Sequence, residues 1–160
     1  YAVSTGSTIC FAPNIPGLNM PPHNGAIVHP VYGTITLAKI VDGTSQTMLV
    51  GEMNYGLTNY YWGGCKPPKT IKGGETRWAV AYPGVTWASA TGRMNSTTQM
   101  NSHFSLFFEE YEAFRSDHAG GVNFAFVDGS VRFLTEGIEL GVYQALATRD
   151  GGETIDSVGN

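Results

Sequence analysis

Apolar and polar residues alternate most regularly over residues 116–134, SDHAGGVNFAFVDGSVRFL. Val122, Phe124 and Phe126 alternate with Asn123 and Ala125, the two-residue period of a strand with one buried face. Asp128-Gly129 predicts a tight turn, since both central residues of a primed turn must reach positive φ. Val131, Arg132, Phe133 and Leu134 form the return strand. A two-residue turn sets Phe124 opposite Phe133 and Phe126 opposite Val131. The expected core is therefore Val122, Phe124, Phe126, Val131 and Phe133. Asp117, His118, Ala119, Gly120 and Gly121 make the loop that leads in.

Elsewhere the pattern is more broken. Eight breaking residues between Pro13 and Pro30 leave room only for short extended pieces, at 26–28 and 31–35. Residues 37–41 read as one helical turn. Asp42-Gly43-Thr44-Ser45 reads as a turn whose side chains bond the backbone two residues on. Residues 46–52 read as a strand. Residues 54–102 are an insert rich in Gly, Asn, Thr and aromatics, with short strands expected at 77–81 and 85–89. Residues 104–114 read as a short helix with Glu109, Glu110 and Glu112 outward. Residues 140–148 read as a second, with Leu140, Tyr143, Leu146 and Ala147 inward and Gly151-Gly152 ending it. The pattern is that of one domain over residues 1–160, α+β and mostly antiparallel β.

Composition narrows the function. The net charge of −4 and the absence of a Lys/Arg cluster argue against nucleic acid, whose phosphates need a basic face. No apolar run approaches the ~20 residues of a membrane span. Tyr1 is not an initiator Met and no signal peptide is visible, so the chain reads as a processed or trimmed product. Cys10 and Cys65 fit one disulfide, and equally two separate thiols.

His118 and Asp128 invite a catalytic or metal reading. A strand over 121–127 would hold them roughly 20 Å apart, at ~3.3 Å per residue. Each then fixes its own backbone: His118 through a ring hydrogen bond in its loop, Asp128 through an Asx-type bond. No cofactor is required. A structural calcium would draw on oxygen donors such as Asp42, Asp117 and Asp128, although no EF-hand spacing occurs. There is no G-x-S-x-G elbow, and nothing requires an enzyme; a hydrolase is the weakest of the readings. Tyr60, Tyr61, Trp62, Trp78 and Trp87 have the faces that stack on sugars, which admits an extracellular solute- or glycan-binding module, but such residues also pack cores.

Three ordered motifs carry a resemblance. His118, nine residues, then Asp128-Gly129 is the H-x9-DG pattern; residues 35–52, ITLAKIVDGTSQTMLVGE, contain a DGTS turn (Asp42, Gly43, Thr44, Ser45) and end on Glu52; residues 143–153 read YQALATRDGGE. Together they resemble the prepilin-type processing-associated proteins of the DUF1559 family, abundant in planctomycete bacteria. The motif residues are thereby His118, Gly120, Gly121, Asp128, Gly129, Asp42, Gly43, Thr44, Ser45 and Glu52. Gln46 replaces the usual Asn and Ala119 the usual Pro, and no GFTLIE prepilin segment is present. The resemblance implies a pilin-like globular head lacking its N-terminal helix. It implies an exported subunit at the cell surface, extracellular or periplasmic, assembling with itself or with other pilin-like subunits. Membrane attachment would run only through that helix.

Overall fold

The computed structural model describes residues 1–8, 21–54, 86–96 and 112–153. Five strands form one sheet: β1 (Ala2–Ser4), β2 (Met48–Gly51), β3 (Trp87–Ala88), β4 (Gly121–Phe126) and β5 (Val131–Thr135). Their order is β3-β1-β2-β4-β5, antiparallel throughout except for the β1–β3 pair. One α-helix, α1 (Leu140–Ala147), follows among the described residues. The mostly antiparallel α+β expectation therefore holds. Among the described residues no helix is long and apolar enough to cross a membrane.

The hairpin is where alternation succeeds and turn chemistry misleads. Val122, Phe124 and Phe126 are fully buried, as their period demands. The turn, however, is not a two-residue one. Phe126 N–H donates to Ser130 at 2.9 Å and Gly129 N–H to Phe126 at 3.0 Å, closing a three-residue loop, Val127-Asp128-Gly129. Only Gly129 takes a positive φ, 85°, as a type I turn with a following left-handed residue requires. The extra loop residue moves the register by one. Phe124 faces Arg132, and Ala125 faces Val131. Because side chains alternate, one step turns the return strand over. Leu134 is buried, while Val131 and Phe133 are 67% and 46% exposed, against the expected core. Arg132 lies on the core side instead, its guanidinium 4.3 Å from the Phe126 ring centre. Gly129→Ala should cost about 1–2 kcal/mol, the penalty of a Cβ in left-handed backbone. An unchanged urea midpoint would remove this turn assignment.

The core lies between one sheet face and α1. Phe124 stands edge-on to Phe114 at 5.0 Å and to Tyr143 of α1 at 6.0 Å. Met48, Leu134, Leu146 and Ala147 complete its centre. Burial without a hydrogen-bond partner pushes the Tyr143 hydroxyl pKa far up. The helix starts at Glu139, whose carboxylate accepts from Val142 N–H at 3.0 Å, and stops at Thr148, whose hydroxyl donates to Ala145 at 2.9 Å. Glu112, expected outward, is fully buried and accepts from the Ser89 hydroxyl at 3.1 Å.

The N-terminal strands expected at 26–28 and 31–35 are not formed. A 3-10 turn occupies Pro30–Tyr32, where His29 Nδ1 accepts from Val31 N–H. The strand of this region is β1, three residues whose pattern is too short to read. A second 3-10 turn, Leu37–Lys39, sits where one helical turn was expected. The strand at 46–52 shrinks to β2, with a register irregularity between Met48 and Val50.

Directly paired residues lie on the same face of a sheet. The register therefore aligns Trp87, Val3, Val50, Ala125 and Val131 in one apolar row across all five strands. That row is on the face opposite α1.

Candidate functional site

At one end of the β2–β4 pair the chain builds a polar clasp around Glu52. Gly51 ends β2, so the next side chain turns to the outer face beside Asn123. Glu52 Oε2 accepts from the Ser116 hydroxyl at 2.8 Å, from Asn123 N–H at 2.9 Å and from the Asn123 amide at 3.2 Å. Its other oxygen, Oε1, lies 3.3 Å from His118 Nε2. Glu52 is 16% exposed and His118 62%. Partial burial raises the carboxyl pKa, but the hydrogen bonds from Asn123 and Ser116 and the nearby imidazole more than offset it, leaving it below the usual glutamate range.

The lead-in loop is tied on several sides. The Ser116 hydroxyl that donates to Glu52 also accepts from His118 N–H at 3.1 Å. Ser116 N–H donates to Asn95 Oδ1 at 2.9 Å, and Asn54 donates to Asp117 at 2.8 Å. Asn95 holds φ at 54°, the left-handed region that Asn tolerates better than most side chains. Beside the clasp opens a cleft of about 370 Å³, lined by Tyr1, Met53, Asn54 and Arg115 as well as by Glu52 and residues 116–118.

His118 and Asp128 do not meet. His118 pairs with Glu52 rather than with its own loop. Asp128 accepts from Ser130 N–H at 2.9 Å and from its hydroxyl at 2.7 Å, bonds that hold its carboxyl below the usual range. The two DG turns do meet: Asp128 N–H donates to Thr44 at 3.0 Å and Arg132 to the Ser45 carbonyl at 2.6 Å. Asp42 departs from the expected local turn bond. Its carboxylate accepts from Gly151 N–H at 2.7 Å, Gly152 N–H at 2.9 Å and the Thr148 hydroxyl at 3.3 Å, clamping the end of α1. Gly120 and Gly121 lead into β4. A Cβ on Gly121 would meet the Leu134 carbonyl and, at 2.6 Å, the Phe133 ring.

Asp42, Asp117 and Asp128 are thus engaged in three different places and form no shared site. Among the described residues no group of three His, Cys, Asp or Glu side chains is placed to hold a metal ion. Trp87 packs edge-on to His29 at 5.3 Å and His23 at 6.3 Å. Tyr60, Tyr61, Trp62, Trp78, Cys10 and Cys65 lie outside the described residues. The partnership of Glu52 with His118 was not legible in the sequence, nor were the supporting roles of Ser116, Asn123 and Asn95. A polar Asn inside an otherwise apolar strand was the one available signal.

Fold and site define a small, mostly antiparallel α+β domain in which motif side chains latch distant segments together. The DUF1559 family model, described as a protein of unknown function, matches residues 12–141, and the chain belongs to that family. No curated protein and no solved structure matches it.

Proposed function

We propose that this domain is the head of an exported, pilin- or pseudopilin-like subunit that works at the cell surface by contact with copies of itself or with related subunits. The observation that carries the reading is the apolar row on the sheet face away from α1. At one end it reaches β5, one of the two edge strands of the described sheet, where Val131 is 67% exposed and Phe133 46%. Exposed apolar side chains grouped on one face favour association, and so does a strand edge with no neighbour among the described residues. β5 carries no Lys or Pro to blunt its edge, and its one charge, Arg132, is drawn to Phe126 and Ser45. Several motif residues support the same reading: Asp42 clamps the end of α1 and Asp128 docks its turn on Thr44.

Light scattering over a concentration series tests it. The parent chain should self-associate, and Val131→Glu should shift it to monomer without lowering its melting temperature. A parent that stays monomeric at high concentration, or a variant that associates equally well, would refute the assembly role.

A further inference from the structure

We propose that Glu52 and His118 form a two-donor site for a divalent transition-metal ion, with water completing the coordination. The donors are already at ligand spacing. Two atoms each about 2.1 Å from a common cation and 3.3 Å apart subtend roughly 100°, near the tetrahedral angle. They are also oriented in advance. Glu52 Oε2 is occupied by Ser116 and Asn123, which leaves Oε1 to face His118. One hydroxyl, that of Ser116, donates to the carboxylate and accepts from the backbone of His118, so a single side chain holds the carboxylate and the backbone that carries the imidazole. Outer partners of this kind hold metal ligands in place. The carboxyl is kept ionised by its hydrogen bonds, and the exposed imidazole leaves room for bound water.

Donor chemistry selects the ion. An imidazole nitrogen with one carboxylate oxygen suits zinc, cobalt, nickel or copper, whereas calcium needs six to eight oxygens. Two neighbours bear on the charge. Asp117 lines the same cleft, with one oxygen engaged by Asn54. Arg115 is 4% exposed at the cleft wall, its guanidinium directed to the Ser96 carbonyl at 3.2 Å and the Met53 sulfur at 3.7 Å.

Titration of the full chain with Co²⁺, followed in the visible, reads both affinity and geometry. The expected result is a saturable band of low-symmetry, four-coordinate cobalt that added Zn²⁺ removes. His118→Ala should abolish it; that side chain is exposed enough for the variant to fold, which circular dichroism verifies. Ser116→Ala keeps both ligands and should weaken binding about tenfold. His29→Ala should change nothing. No saturable band in the parent, or equal Co²⁺ affinity in parent and His118→Ala, overturns the site.

Discussion

Phe124→Ala should destabilise the domain by about 3–5 kcal/mol, the cost of emptying a buried aromatic position. Phe124 is fully buried at the middle of β4 and sits between the Phe114 and Tyr143 rings. It also contacts the backbone of β2, for a Cβ on Gly51 would lie 2.6 Å from its ring and close to Phe114 as well. Little can collapse into the space, because the sheet backbone forms one wall. For a chain of this length the loss corresponds to a fall in Tm of roughly 10 °C or more. A shift below about 3 °C would mean that Phe124 is not the centre of the core.

Glu52→Ala should be the most damaging change among the polar motif residues. It strips a charged acceptor from the Ser116 hydroxyl, from Asn123 N–H and from the Asn123 amide at once. Hydrogen bonds to charged groups carry about 1.5–3 kcal/mol each and do not add fully, so a cost of about 2–3 kcal/mol is expected near neutral pH. The pH dependence has a definite sign. The folded carboxyl titrates below its unfolded value of about 4.3, so its contribution is complete above that pH and is lost as pH falls through the lower, folded value. Urea midpoints of parent and variant should therefore differ at pH 7 and converge in acid. A gap that persists at pH 2 would assign the effect to packing instead of charge.

Much of the fold was legible where one rule acted alone. Alternation placed β4, and helical spacing placed α1 to within a residue. Failures arose where distant segments decided. The Asp128-Gly129 pair suits a two-residue turn locally, yet Val127 and Asp128 donate to Thr47 and Thr44, and the longer loop docks them there. Asp42 reads locally as part of its own turn, but its oxygens are filled by residues from beyond α1. His118 and Glu52 are 66 residues apart by their numbers, and no local spacing encodes such a pair. A histidine followed by glycines announces a loop without naming what the loop will grip.

The position of β1 has a consequence in time. This strand is synthesised before both of its neighbours, β2 and β3, and Thr5, the residue after it, donates to the Ala88 carbonyl of β3, 83 residues away. At ~5–20 residues per second, roughly 4–17 s pass before that partner is synthesised. Pairings at such separation close slowly even in the complete chain, on the order of milliseconds to seconds. Ala2–Ser4 is thus made before its partners and seated late. Until residues 86–88 arrive, one of its edges stays open to any other strand nearby.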